Sequence, residues 1–283
     1  MSEIDKNYRV AMIYKPLTDV LGYGGFLERG MRQVCQVAHF LPGEEQNGFD
    51  EYVYIDDSPT DYMAPKYRPA SYIAIDMLIS PLWWSVCKET YFDRLANFDR
   101  GYVTTTDAVA YCHERGLPVK FIGFAADPSY HRPLDFPRDR DWVAVWHNCD
   151  GRVAAIDAVY KRFPGGQLTW ASGELYTAYI NRGKCALNWL RAEMVNMRVF
   201  EIMACRTPLI TTRYKDMAFY GLVEDEHYLG YDHENIDELL ERIAWVQDNQ
   251  VEAEQMAIRA YSYVVAHHTY RHRAEELIEW LQL

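Results

Sequence analysis

Two glutamates with seven residues between them, Glu193 and Glu201, bracket a stretch suited to work on an anion. It reads Glu193-Met-Val-Asn-Met-Arg-Val-Phe-Glu201-Ile-Met-Ala-Cys-Arg-Thr-Pro-Leu-Ile210. The spacing alone carries little, because a chain this rich in glutamate gives such a pair about once by chance. Its context carries more. With Asn196 capping a helix, free backbone amides and the positive end of the helix dipole face outward, ready for a diphosphate. Arg198 falls in the first turn. Glu201 comes about one turn later, where a carboxylate accepts hydrogen bonds from a ribose diol.

The local charge agrees. Residues 182–215 hold seven Lys/Arg against Glu193 and Glu201, while residues 216–254 hold twelve acids against Arg242 alone. A basic segment thus sits inside a chain of net charge −12. It reads equally as a small-anion pocket or as surface ion pairing.

Other clusters are weaker. Gly22-Tyr-Gly-Gly25 follows an apolar run, and Gly24 and Gly25 would let amides approach a phosphate. The motif is not a full G-x-G-x-x-G, and a plain strand–helix turn explains it as well. Asp139-Arg-Asp141 has the form of a metal-binding D-x-D but lies in a linker-like stretch. His267, His268 and His272 share a helical face, yet zinc would need further ligands. Trp83-Trp84 would suit an acceptor groove or plain burial.

These residues need a scaffold, and the periodicity supplies one. Residues 8–14 read as a strand, residues 22–25 as a turn, and residues 26–40 as a helix. Strands are expected at 51–55, 72–75, 101–104 and 119–124, with helices at 85–98 and 106–115. A polar, Pro/Arg-rich stretch runs from Ala126 to Arg140. The alternation then restarts, with strands at 142–146, 168–171, 185–188, 208–212 and 227–231 and helices at 152–163, 174–181, 196–205, 235–247, 251–267 and 270–283. Strands alternating with helices imply mostly parallel sheets, and two such runs imply two Rossmann-like domains.

Composition excludes several classes. At 49% hydrophobic and 25% charged, the 283 residues suit an ordinary globular protein. No apolar run approaches the roughly 20 residues of a membrane helix, and Met1–Arg9 is too polar for a signal peptide. Six scattered cysteines without a C-x-x-C pair make neither a zinc site nor a disulfide framework. The chain reads as reduced, soluble and cytoplasmic. Its acidity argues against general nucleic-acid binding.

The residues Asn196-Met-Arg-Val-Phe-Glu-Ile-Met-Ala-Cys205 and Thr207-Pro-Leu-Ile-Thr-Thr212 resemble the core signature of GT-B glycosyltransferases, in particular the CgeB-like, spore-coat branch. The resemblance continues through Glu234-Asn-Ile-Asp-Glu-Leu-Leu-Glu-Arg242 and Val264-Val-Ala-His-His-Thr-Tyr-Arg-His-Arg273. Gly123-Phe-Ala-Ala-Asp-Pro-Ser-Tyr-His-Arg-Pro133 is similar to that branch's interdomain segment. It covers residues 117 to the end and is specific over 196–212. One departure stands out: Arg206 occupies the place of a glycine that allows a tight turn after the helix. Either it is a tolerated variant or it reaches a phosphate.

The resemblance implies an α/β protein of GT-B fold, two Rossmann-like domains facing a central cleft. Residues 1–130 would form the acceptor domain and 131–283 the nucleotide-sugar domain, with the last helix packing back on the first. It implies a hexosyl- or pentosyltransferase that uses a nucleotide-sugar donor, retains anomeric configuration and needs no metal or other cofactor. Glu193 would face donor-sugar hydroxyls, Glu201 the ribose, and Arg152 with Lys184 the diphosphate. A retaining enzyme needs no separate base; an inverting one would draw on Asp76, Asp127 or His131. Two other readings share the architecture: an epimerase-like or phosphorylase-like enzyme, and a catalytically inactive binding or scaffold module. The acceptor is open between lipid-linked sugar, protein, small molecule and DNA base. Against DNA, residues 1–130 carry twelve Lys/Arg and eighteen acids, a net of −6.

Overall fold

Short β-branched and aromatic runs alternate with helices along the chain, and the computed structural model places them in two units. It describes residues 5–17, 21–56, 64–79, 88–145, 152–190, 194–233 and 235–282. The first unit takes in Met1–Phe124, Ala192–Met194 and Thr269–Leu283; the second takes in Ala125–Arg191 and Val195–His268.

In the first unit the elements are β1 (Arg9–Ile13), α1 (Tyr23–Met31), β2 (Gln36–Phe40), β3 (Glu51–Ile55), β4 (Ala70–Ala74), α2 (Lys88–Leu95), β5 (Arg100–Val103), α3 (Thr106–His113) and β6 (Val119–Phe121). The strands form one parallel sheet in the order β2-β1-β3-β4-β5-β6. Strands β3 and β4 are buried along their whole length, as expected where helices cover both faces of a parallel sheet. Tyr52, Tyr54 and Tyr72 fill this core together with Leu95 and Val103.

The second unit runs β7 (Val143–Val145), α4 (Val153–Arg162), β8 (Gln167–Thr169), α5 (Gly173–Arg182), β9 (Ala186–Asn188), α6 (Met197–Ala204), β10 (Leu209–Thr212), α7 (Asp216–Phe219), β11 (Leu229–Tyr231), α8 (Ile236–Asp248) and α9 (Gln250–His267). Its sheet is parallel in the order β11-β10-β9-β7-β8. Trp142, Leu187, Ile210 and Ile243 anchor the core. The chain leaves β7 towards β8 on one side and then returns to β9 on the other. The carboxyl ends of β7 and β9 therefore flank the point where strand order reverses, which is where open α/β sheets hold ligands.

The last helix, α10 (Tyr270–Leu281), belongs to the first unit. It lies on α1 through Tyr270, which stacks on Phe26 at 5.4 Å. Gly30 permits this approach, since a Cβ there would stand 2.2 Å from the Tyr270 carbonyl oxygen. At the far end Trp280 stacks on Tyr102 at 5.6 Å, nearly parallel. His272 completes a capping box with Thr269.

The architecture is the doubly wound α/β pair expected from the sequence. The long helix expected over 26–40 is a correction. The helix stops at Met31, and residues 36–40 form β2, paired in register with β1. Apolar spacing at Val34 and Val37 fits either element, and the ladder offered by β1 decides. The short α7 was not foreseen, because four residues show no period.

Candidate active site

Strand β9 ends in Asn188, and the chain then has to turn into α6. Asn196 stands at the N-cap position with extended backbone, but its side chain accepts from no first-turn amide. Instead the two amides exchange hydrogen bonds, Asn196 Nδ2 to Asn188 Oδ1 and Asn188 Nδ2 to Asn196 Oδ1, both at 3.3 Å. Asn188 also donates to Thr211 Oγ1 at the end of β10. Thus the capping expected of Asn196 is corrected to a bridge between strand and helix. The bridge fixes the start of α6 against β9 while the Asn196 side chain stays off the first-turn amides.

Arg152 is the N-cap of α4, on the chain that follows β7. Its guanidinium is buried and donates through Nη2 to the Trp189 carbonyl at 3.0 Å. Trp189 in turn donates from its indole to His233 at 2.9 Å. The Leu190 amide donates to Thr212 Oγ1. A cation from the β7 side thus meets the first residue after β9, at the switch point. Arg198 lies in the first turn of α6, partly buried, with no carboxylate within ion-pair distance among the described residues.

Glu201 is one turn further in and buried. His131 Nε2 stands 3.7 Å from its Oε1, and burial holds the imidazole pKa below its ordinary value against the pull of Glu201 and Asp127. Tyr176 from α5 packs edge-on against His131 at 5.9 Å. Burial first, then the charge of Glu201, pushes the Tyr176 phenol well above its ordinary range. Arg152, Asn196, Arg198 and Glu201 therefore all belong to the second unit, with Arg152, Asn196 and Arg198 at the carboxyl edge of its sheet. Glu193 lies outside the described residues, as do Trp83 and Trp84.

Lys184 is not with them. It precedes β9 at the opposite, amino edge of the sheet, where its ammonium pairs with Asp141 at 2.9 Å and Gln247 at 3.0 Å. Position next to a strand suggested it, but only the carboxyl edge faces a ligand in a parallel sheet. Asp127 and His131, the candidate bases, both make local hydrogen bonds. The Asp127 carboxylate accepts from the Ser129 amide and hydroxyl, closing its own turn. The His131 Nδ1 accepts from the Asp127 amide at 3.2 Å. Asp76, just beyond β4, is exposed in the first unit.

Gly24 and Gly25 lie inside the first turn of α1 rather than in a loop. A Cβ on Gly24 would meet the Tyr14 ring at 2.7 Å, and one on Gly25 would meet Leu21 at 2.9 Å. Helix packing in the first unit accounts for both.

Arg206 and Arg213, also from the basic segment, are engaged in ion pairs. Arg213 is held by Glu224, Asp232 and Glu238, beside a groove of about 700 Å³ lined by Tyr214, Met217, Leu222 and Tyr228. Arg206 pairs with Glu254 at 3.2 Å. Both carboxylates of Asp139-Arg-Asp141 are taken, Asp139 by Arg182 and Asp141 by Lys184. Among the described residues, no three His, Cys, Asp or Glu side chains gather as a metal site, and no helix is long and apolar enough to cross a membrane. Asn188, Trp189 and Tyr176 escaped the sequence reading. Only the place of Asn188 and Trp189 at a strand end could have singled them out; Tyr176 carries no local signal.

Residues 140–279 match the family described as glycosyl transferase-like. No curated protein matches it by sequence. Solved structures match over nearly the whole chain. Sucrose-phosphate synthase from Thermosynechococcus elongatus superposes with a TM-score of 0.70 at 12% identity, covering 98% of each chain. An alpha-glucosyltransferase in complex with UDP-glucose and DNA containing an abasic site gives 0.67 at 8% identity, covering 98% of this chain and 100% of that one. A glycosyltransferase from Rickettsia africae gives 0.66 at 10% identity, covering 98% of each. At these identities they establish the fold, which is GT-B.

Proposed function

We propose that this GT-B protein is a glycosyltransferase that takes its sugar from a nucleoside-diphosphate sugar bound at the carboxyl edge of the second unit's sheet. The observation that carries this reading is the meeting of Arg152 with Trp189, the first residue after β9, at the switch point between β7 and β9. First-turn amides of α6, Arg198 and Arg152 would hold the diphosphate. Glu201 would accept the ribose hydroxyls, and Glu193 would face the sugar. Residues 131–283, apart from α10, act as the donor domain and residues 1–130 serve the acceptor. Residues 196–212 favour the CgeB-like branch.

The chemistry follows from charge. The bond between the anomeric carbon and the phosphate oxygen breaks as the acceptor oxygen attacks that carbon. Negative charge grows on the departing diphosphate, where fixed cations and amides stabilise it most. The acceptor's proton passes to a leaving phosphate oxygen, so a retaining transfer runs without a dedicated protein base. With both D-x-D carboxylates committed to ion pairs, we take the transfer to be metal-independent. A matched structure holds DNA, but a net charge of −12 gives this chain little call on a polyanion; a small-molecule, lipid-linked or protein acceptor fits better.

The test is a thermal-shift screen against UDP-, GDP-, ADP- and dTDP-sugars, followed by assay for release of the diphosphate. A ligand raises the apparent stability as RT ln(1 + [L]/Kd). A shift with one nucleotide class and slow hydrolysis of its sugar are expected. Binding without any turnover, across acceptors, would favour the scaffold reading.

A further inference from the structure

We propose that His131, together with Tyr176, is a positioning residue that orients the Glu201 carboxylate for a ribose diol; this rests on the role given to Glu201 above. The three residues come from separate parts of the second unit and are all buried.

The segment carrying His131 is strapped to α5. Thr177 Oγ1 donates to the Tyr130 carbonyl at 2.9 Å. Asn181 accepts from the Leu134 amide at 2.8 Å and donates to the Arg132 carbonyl at 3.0 Å. His131 is therefore fixed on both sides. The Asp127 amide donates to its Nδ1, which leaves that nitrogen without a proton. Burial keeps the ring neutral, so its one N–H is on Nε2. That N–H faces Glu201 Oε1 at 3.7 Å, slightly beyond hydrogen-bond length. The contact is a directed dipole on the carboxylate rather than an ion pair.

Tyr176 adds a second polar group. Its hydroxyl is buried and makes no hydrogen bond of ordinary geometry among the described residues, yet it is close enough to feel the charge of Glu201. In a buried, low-dielectric site two such dipoles beside a carboxylate favour one orientation of it. The neutral ring matters, because a protonated imidazole would pair with Glu201 outright and compete with a ligand hydroxyl.

Isothermal titration tests this with UDP, GDP and ADP, each beside its 2′-deoxy counterpart, continuing with the ribonucleotide that binds tightest. Wild type should prefer the ribo form by about tenfold or more. His131→Phe keeps ring size but removes the N–H, and should cut that preference about fivefold while leaving the deoxy affinity unchanged. His131→Gln, whose amide nitrogen falls near Nε2, should restore it to within about twofold. Tyr176→Phe, an isosteric change, should give a smaller loss and guards against misfolding of the Phe variant. No ribose preference in wild type would remove Glu201 from the ribose, and this inference with it. A wild-type preference that survives both His131→Phe and Tyr176→Phe, or a loss that Gln does not restore, would overturn the inference alone.

Discussion

Arg152 and Trp189 are joined by one hydrogen bond, guanidinium to carbonyl at 3.0 Å, across 37 positions of sequence. The bond ties the start of α4 to the end of β9 and aims a buried cation at the edge where the two strands diverge. A cation so placed interacts more strongly with a departing diphosphate than with the intact donor.

Arg152→Ala should therefore lower kcat by about a hundredfold or more, with KM changing less. Lys184→Ala should leave kcat within a few-fold, because its ammonium serves Asp141 and Gln247 at the other edge of the sheet. Steady-state kinetics with the donor identified by thermal shift measures both. An Arg152→Ala enzyme with near wild-type kcat would transfer the leaving-group role to Arg198 and the helix amides.

Arg206 gives a prediction about stability alone. It follows α6 in the left-handed region, φ +54°. Its amide bonds to the Met203 carbonyl, and the Thr207 amide to the Ile202 carbonyl. That pair of bonds is the helix stop in which glycine is ordinarily found. A side chain in this conformation costs about 1 kcal/mol or more, whereas the partly exposed pair with Glu254 offsets less than about 1 kcal/mol. Arg206→Gly should stabilise the protein by about 0.5 kcal/mol and leave kcat unchanged. A drop in kcat would mean that Arg206 reaches a phosphate.

Metal dependence is the next expectation. Asp139 bonds to Arg182, an interaction that holds its carboxyl below the ordinary range, and Asp141 pairs with Lys184. Transfer should proceed in excess EDTA. Activity lost with EDTA and restored by manganese or magnesium would require these ion pairs to open and would revive the Asp139/Asp141 pair.

Much of the scaffold was legible because parallel strands and their helices carry long-lived periodic signals. The run at β1, the stop after α3 at Gly116, and the Asn196-to-Cys205 pattern all read correctly. Local pattern placed Asn196, Arg198 and Glu201 along α6, as the structure has them, but could not say what their side chains touch. Lys184 misled because sequence adjacency to a strand does not say which edge of the sheet a residue occupies. A histidine near a domain linker has no local sign of burial; the contact of His131 with Glu201 spans 70 positions and exists only in three dimensions. The same limit applies to β2, whose identity depends on β1 being beside it.

The last prediction concerns Glu51, which opens β3 with its side chain fully buried. It accepts from Ser71 at 2.7 Å and from Arg100 at 2.9 Å. Burial outweighs these two favourable contacts and lifts its pKa from 4.5 to about 7. The folded protein therefore holds this proton more tightly than the unfolded chain. Below pH 4.5 both states are protonated and no stability is lost. Between pH 4.5 and 7 the unfolded chain ionises first, so folding stability falls by up to about 1.4 kcal/mol per pH unit on this account. Above pH 7 both are ionised and the loss is complete. Glu51→Gln keeps the size and removes the titration, at the modest cost of leaving Arg100 to solvent. Denaturant midpoints from pH 4 to 8 should show the wild type losing ground steadily to Glu51→Gln across the window, with the variant the more stable protein at pH 8. Parallel pH profiles for the two proteins would show that Glu51 is ionised throughout and that the Arg100 pair, rather than burial, sets its charge.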